Sequence, residues 1–518
     1  MDVDVDTILA ILGPWKRYQY LQLFYIGIVH MFGGAYAVLI YVFIGYQPPH
    51  KCSNLTQSVY SYGIPTSVNE SQLAISYGEC EITMISNETS QQWSIPCAEG
   101  YIYDSVDNTI VSEWNLVCSR AGLGALTQTL IAAGQCIGAI LFSSMADRYG
   151  RRPILMGTHL MLFVIAAGTF FIPNYTIFAV SRFILGALQQ GVGIILTTIL
   201  IEMFPKDSRG TIGAILSLFW TIAVVSLTGI GYGLRNYSWR YVQLAAAIMS
   251  CHTILGYWLI DESLRWLVAN NKTAQTITLL KKIAKCNNIN ANRVLSMIVS
   301  PTIVRNGACT RPKPVVMTEL HETEQDDRSS NLLEMATESC PSAVQHYTPL
   351  DILRNKVILR NSLILWLTWI VNSMTYYGLF MTSSSMGGNR FLNYFINAIV
   401  ELPSNIMFWL MVNRSSRKTL IVLYHAIAGI SLIISVALLT IKDSAGVGDI
   451  ASTVFSFLGK LGISASFNLI WMYTPELYPT NLRSAGMGVA STMARIGAMI
   501  APFSSMLVRN TDAVRGLI

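Results

Sequence analysis

The chain has 518 residues, 52% of them hydrophobic and only 12% charged, with a mean hydropathy of +0.45 and a formal net charge of +6. A soluble domain carries about 25% charged residues, so this composition excludes an ordinary cytosolic enzyme and a disordered chain alike. The apolar residues come in blocks of about 20, the length that crosses about 30 Å of hydrocarbon. The chain reads as an all-α polytopic membrane protein.

In chain order, the start MDVDVDTILAILG places acidic residues where a signal peptide would be basic. Residues 1–19 are therefore expected to form a cytoplasmic N-terminus with a short surface helix. Spans are expected near 20–45, 121–143, 153–172, 177–201, 211–234, 241–260, 361–383, 391–412, 419–440, 451–473 and 484–507. Helices are required because lipid offers no partner to an unpaired backbone group, and the ~10-residue alternating segments of a membrane barrel do not occur. With the N-terminus inside, 24 of the 35 Lys and Arg residues fall on the cytoplasmic side. The short loops 144–152 and 413–418 carry three each, in keeping with the positive-inside rule.

Segment 47–120 then lies outside. It holds Cys52, Cys80, Cys97 and Cys118, an even number in an oxidising space. It also carries glycosylation sequons at Asn54, Asn69 and Asn87. A disulfide-bonded, glycosylated loop is expected, and four cysteines leave three connectivities open. Cys136, Cys251, Cys286, Cys309 and Cys340 fall in spans or cytoplasm and read as free thiols without metal-site spacing. Neither a metal nor a cofactor is expected.

The chain also repeats itself. Glu202-x-x-Pro205-x-x-x-Arg209 follows the fourth run and Glu476-x-x-Pro479-x-x-x-Arg483 the tenth. Asp147-Arg148-x-Gly150-Arg151-Arg152 is matched more weakly by Asn413-Arg414-x-Ser416-Arg417-Lys418. The offsets, 274 and 266 residues, map one half onto the other. Parallel repeats with a site at their interface describe a rocking transporter. The N-terminal bundle is expected over 20–260 and the C-terminal bundle over 361–518. Between them, cytoplasmic segment 261–360 begins with the amphipathic TAQTITLLKKIAK and passes through the polar HETEQDDRSSN. In the short loops, Gly150 permits a left-handed turn, and Arg148, Arg151 and Arg152 can meet helix carbonyls and lipid headgroups. Asp147 and Glu202 then become gating acids, with Arg209, Glu476 and Arg483 in the matching positions.

Three basic residues lie inside spans, where charge at the bilayer centre costs at least about 2.5–3.5 kcal/mol. Arg182 reads as a brace, and Lys460 as brace or ligand alike. Arg495 is too deep to snorkel easily, and a guanidinium there can hold a carboxylate through two parallel bonds. Glu401 in the ELPSN segment either shares a site with Arg495 or braces it. Trp220, Tyr376 and Tyr377 offer aromatic faces to a substrate, whereas Trp366 and Trp369 read as packing. His30 reads as a core residue.

Several segments together resemble a known family. SSMADRYGRRPIL resembles the loop 2–3 signature of the major facilitator superfamily, with Ser143 where that family usually has glycine. ILAILGPWKRYQ, VSEWNLVC, DESLRWLVANNKTAQTITLLKKIAKCNNI, MYTPELYPTNLRSAGMG and STMARIGAMIAP, in that order, resemble the organic ion transporter family. That family includes organic cation, organic anion and carnitine transporters, and the resemblance runs from residue 7 to 507. It implies two pseudo-symmetric six-helix bundles in the plasma membrane. The eleventh run ends eleven residues before Ile518, so five of the six C-terminal helices are expected here and the last is missing.

The resemblance also implies an alternating-access carrier of small organic ions, its partners being the substrate and the bilayer, with no nucleic acid and no enzymatic activity. Tyr377, in YYGL, matches the family's substrate-lining stretch. Arginine at the Arg495 position resembles anion and carnitine relatives, while glutamate at 401 resembles cation and carnitine relatives. A carboxylate-bearing or zwitterionic substrate of the carnitine type is the first expectation. An organic anion exchanger, a sugar-type facilitator and a transport-dead membrane receptor are the alternatives.

Overall fold

The computed structural model describes residues 5–56, 59–62, 73–86, 91–103, 108–205, 208–249, 251, 253–290, 351–384, 386, 388–440, 447–479 and 482–515. Helices stand at each of the expected spans, though two of the runs are divided. A short helix α1 (Val5–Leu12) precedes α2 (Arg17–Leu39), which runs on into α3 (Tyr41–Ile44). After α4 (Ile110–Glu113) come α5 (Ala121–Tyr149), α6 (Arg151–Gly168), α7 (Tyr175–Glu202) and α8 (Arg209–Gly233). The sixth run divides into α9 (Trp239–Ile248) and α10 (Thr253–Leu259). Helices α11 (Leu264–Ala269), α12 (Thr273–Cys286) and α13 (Asp351–Arg354) lie between the two halves of the sequence. The second half holds α14 (Lys356–Thr382), α15 (Arg390–Ile399), α16 (Glu401–Val412), α17 (Arg417–Thr440), α18 (Val447–Leu477) and α19 (Arg483–Arg515). Among the described residues, nine helical stretches are long and apolar enough to cross a membrane.

The sequence reading differs from the structure at two runs. Residues 241–260 do not form one helix, and 391–412 is interrupted at Val400. Pro403 explains the second case. It has no N–H to donate toward Ile399, and its ring crowds that carbonyl. The kink places Glu401 in the first turn of α16.

Without a hydrophobic force between helices in lipid, close approach depends on small side chains. A Cβ on Gly134 would lie 2.0 Å from the Phe183 carbonyl oxygen, and one on Gly186 2.1 Å from that of Ile131. Helices α5 and α7 therefore meet backbone to backbone. Gly497 does the same for α19 on α14, 2.3 Å from the Ile370 carbonyl. One apolar core, including Leu23, Leu155, Leu196 and Leu216, joins α2, α6, α7 and α8. A second, including Trp369, Ile470 and Ala494, joins α14, α18 and α19. Between them, Tyr36, Ala132 and Val224 of the first half meet Tyr376, Phe380, Tyr394 and Ala498 of the second. At the end of this seam Phe43 stacks on Phe391 at 5.8 Å and packs against Tyr394 at 4.8 Å.

The segment after α3 carries β1 (His50–Cys52), β2 (Leu73–Tyr77), β3 (Glu81–Ser86), β4 (Gln92–Pro96) and β5 (Tyr101–Tyr103). β1 pairs antiparallel with β5, and β2–β3–β4 form an antiparallel meander with Met84 opposite both Ile75 and Trp93. Cys52 bonds to Cys97 and Cys80 to Cys118, one of the three connectivities left open above. Asn54 is exposed. Asn69 and Asn87 lie outside the described residues, as do Cys309 and Cys340.

At the opposite end, α1 packs Leu9 and Leu12 against Leu267, Leu280 and Ile283 of α11 and α12. Asp6 pairs with Arg265 at 2.6 Å. The Asn287 side chain accepts the Tyr18 N–H and donates to the Leu12 carbonyl, tying α2 to the segment after α12.

Candidate functional site

The seam between the halves holds a cluster of charged and polar side chains. Glu401 is 3% exposed. Its carboxylate accepts the Tyr376 hydroxyl at 2.5 Å and the Thr221 hydroxyl at 3.4 Å, and pairs with the Lys460 ammonium at 3.2 Å. The Trp220 indole N–H donates to the Tyr376 hydroxyl at 2.8 Å. Trp220 and Thr221 come from α8, Tyr376 from α14, Glu401 from α16 and Lys460 from α18. One polar chain thus crosses from the first half of the sequence to the second. Asn405 extends it, donating to Thr221 at 3.4 Å and accepting from Asn468 at 2.6 Å.

Lys460 is fully buried. Its ammonium lies 3.3 Å from the Tyr376 ring centroid and 3.7 Å from that of Phe380, in addition to its carboxylate partner. A cation in this position is held by charge and by the negative faces of two rings. Among the described residues Glu401 makes no ion pair with Arg495, so the mutual brace is replaced by a Glu401–Lys460 pair. The kinked α16 and α18 bring those two side chains together across 59 residues of sequence.

Arg495 lies on α19 about three turns from its start. It is half-buried and donates to the Gln190 side chain of α7 at 2.9 Å. The Tyr377 hydroxyl is also within interaction range of the guanidinium. Nearby, the Thr129 hydroxyl of α5 donates to the Met499 carbonyl of α19 at 2.9 Å. Among the described residues no carboxylate lies in ion-pair range of Arg495. Glu401 and Lys460 cancel each other, so this part of the seam keeps one formal positive charge.

The repeated loops coincide in their contacts as well as in sequence. Arg151 pairs with Glu202 and, at 3.4 Å, with Asp147. In the second half Arg417 pairs with Glu476 at 3.5 Å. Arg151 corresponds to Arg417 and Glu202 to Glu476 under the two offsets of the repeat. Gly150 has φ +107°, and a Cβ there would lie 2.9 Å from a Glu262 carboxylate oxygen. Glu262 accepts the backbone N–H groups of Arg151 and Arg152, each at 3.1 Å, capping α6 with negative charge. Arg152 donates to the Tyr257 carbonyl, and Arg148 is exposed beside Tyr149. Glu202 also accepts the Ser263 hydroxyl, and the Trp266 indole donates to the Asp147 carbonyl at 2.9 Å. Arg209 and Arg483 are the first residues of α8 and α19; their side chains lie outside the described ones.

Other intramembrane residues are structural partners. Arg182 is buried and donates to Gln128 at 3.1 Å, and Gln128 donates in turn to the Val38 carbonyl. His30 shares a 2.9 Å hydrogen bond with Thr197. Trp369 donates to Thr474 and packs edge-on against Trp471. His50, Cys80 and Cys118 lie close together, but both sulfurs are consumed by their disulfide and leave no thiolate for a metal.

Sequence reasoning missed Phe380, Gln190, Thr221, Asn405 and Asn468. The amides carried a usable signal, being polar side chains within apolar helices. Phe380 carried none, because one more aromatic ring in a span is ordinary packing.

Comparison with known proteins bears on this arrangement. The Major Facilitator Superfamily matches residues 111–502. The chain is 28% identical over 520 residues to the "Organic cation transporter protein" of Drosophila melanogaster, covering 97% of this chain and 86% of that one. It is 27% identical over 516 residues to "Organic anion transporter 3" of Oryctolagus cuniculus, covering 99% and 87%. Its fold is similar to a partially occluded inward-open structure of the xylose transporter XylE from E. coli. The TM-score is 0.57 at 13% identity, over 94% of this chain and 92% of that one.

Proposed function

The chain belongs to the Major Facilitator Superfamily and, within it, to the organic ion transporter family, and from that premise we propose that it carries carboxylate-bearing organic ions across the membrane. One observation carries the charge preference: among the described residues Arg495 donates to the Gln190 amide across the seam and pairs with no carboxylate. A guanidinium that donates to a neutral acceptor keeps its full charge and further N–H donors for a bidentate carboxylate. Identity alone does not choose the sign, since transporters named for cations and for anions resemble the chain about equally. The local charge supports the anion reading. Glu401 is neutralised by Lys460, which removes the acid that a zwitterion's cationic end would need, so the anion reading outweighs the carnitine-type one.

The halves 20–260 and 361–518 serve as the rocking bodies, with segment 261–360 on the cytoplasmic side. Arg151–Glu202 and Arg417–Glu476 act as matched inner-end locks together with Asp147, Arg148, Gly150, Arg152, Arg209 and Arg483. The Phe43–Phe391–Tyr394 contact closes the outer end. Segment 47–120 is exported, with Asn54 positioned for glycosylation, and the chain resides in the plasma membrane as a multi-pass protein.

The test is uptake of phenylacetate by cells or vesicles bearing the wild type and Arg495→Asp. Losing one charge-assisted contact of about 1.5–3 kcal/mol predicts at least a tenfold loss of transport efficiency. Arg495→Lys retains the charge and is expected to keep part of it. Unchanged uptake by Arg495→Asp at equal surface amount would remove the guanidinium from the site.

A further inference from the structure

Within the second half of the sequence, a polar cluster lies apart from the seam. His425, on α17, is half-buried and stands eight residues, about 12 Å, beyond Arg417 at the inner end of that helix. Its Nδ1 is 2.8 Å from the Ile421 carbonyl oxygen and 3.2 Å from the Ser466 hydroxyl of α18. A carbonyl only accepts, so Nδ1 carries a proton and Nε2 is the nitrogen that titrates. Facing Nε2 is Asn372 of α14, fully buried, with its amide nitrogen at 3.4 Å. That amide donates to the neutral ring, while its own Oδ1 is buried without a hydrogen-bond partner among the described residues. Turned over, the same amide presents Oδ1 to an Nε2–H. Asn372 therefore suits both states of the ring, and protonation exchanges a long neutral bond for a charge-assisted one.

We propose that His425 is a proton-binding site of the carrier, filled from the inner face, and that the charge it gains favours anion transport. Asn372 lies one turn from Tyr376 on α14, the helix that lines the seam. A positive charge added there, in the low dielectric of the bundle, strengthens the hold on an anion. The other ionisable groups on the packed elements leave this charge unopposed. Tyr376 of α14, Glu401 of α16 and Lys460 of α18 bond to one another, and Arg417 of α17 pairs with Glu476 of α18. Tyr377, Tyr424 and Tyr473 are phenols, neutral below about pH 10. Lys356, Arg360, Lys418 and Asp449 stand near the ends of their helices. Among the described residues none of these forms an ion pair with His425. This inference rests on the reading of the seam as an anion site.

The experiment measures initial phenylacetate uptake into proteoliposomes held at equal pH on both faces, so that the carrier's own protonation is what varies. Passive entry into protein-free liposomes is subtracted. From about pH 8 to about pH 6 the wild-type rate is expected to rise about fivefold. His425→Gln keeps a polar side chain that cannot charge, and its rate is expected to stay flat at the high-pH level. Asn372→Asp sets a carboxylate against Nε2 and favours the charged ring. The midpoint of the rise is expected to move upward by about one pH unit in that variant. A packing role alone would not produce that displacement, and it reports on the pair even where the glutamine variant fails to fold.

A slope that survives in His425→Gln overturns the proposal. So does a wild-type rate that is independent of pH, or a midpoint that Asn372→Asp leaves in place. Absence of phenylacetate uptake by the wild type at every pH overturns the reading of the seam instead.

Discussion

Arg495 and Lys460 are both deep cations, yet their surroundings differ. Lys460 pairs with Glu401 and lies over two aromatic rings, so its removal leaves a buried acid unpaired; among the described residues Arg495 donates to the Gln190 amide and pairs with no carboxylate. Truncating one member of a buried pair costs about 3–5 kcal/mol, while replacing both with neutral groups is often tolerated. Single and double variants at 401 and 460 therefore belong together. Trp220 offers a cleaner residue-scale test, since its indole N–H reaches across the seam to Tyr376. Trp220→Phe preserves most of the ring and deletes the donor. It is expected to lower stability by about 1 kcal/mol, read as a small fall in the detergent melting temperature, and leaving that temperature unmoved would show the bond contributes nothing.

At the scale of elements, glycine placement decides how close the helices come. Gly186 lies against the Ile131 carbonyl, where an added Cβ would be 2.1 Å away, whereas Gly157 on α6 has nothing within 4 Å. Gly186→Ala must push α5 and α7 apart, with an expected loss of about 1–3 kcal/mol. Gly157→Ala is expected to leave the melting temperature unchanged or slightly raised, because alanine is the better helix former. Equal behaviour of the two variants in a melting experiment would refute the close-packing argument. Helix existence was legible from apolar run length, since a hydrocarbon environment imposes it locally. The interruption of 391–412 was legible in principle from Pro403, but the division of 241–260 has no such marker.

The whole molecule is organised by a repeat that reappears as contacts. Arg151–Glu202 and Arg417–Glu476 occupy corresponding places in the two halves. Each pair is confined to its own half and shares no partner with the other among the described residues. Distant sites without shared partners add within about 0.3–0.5 kcal/mol. Glu202→Gln and Glu476→Gln are accordingly expected to change transport rate independently, and the double variant to show the product of the two effects. A double variant no worse than the poorer single one would mean that the locks act as one unit.

What the sequence by itself determined was set by short-range demands. Run length and composition specified membrane helices, and the repeated acidic and basic positions specified two equivalent halves. The DRYGRR loop specified a left-handed turn at Gly150, where only the sequence within a few residues matters. Tertiary structure decided which charges meet. Glu401 could be placed on a helix from its neighbours, but its partner lies 59 residues away on another helix, and helix rotation and the kink before Pro403 chose Lys460 over Arg495. The same holds for the cysteines, whose pairing depends on the strand registers that bring Cys52 to Cys97 and Cys80 to Cys118.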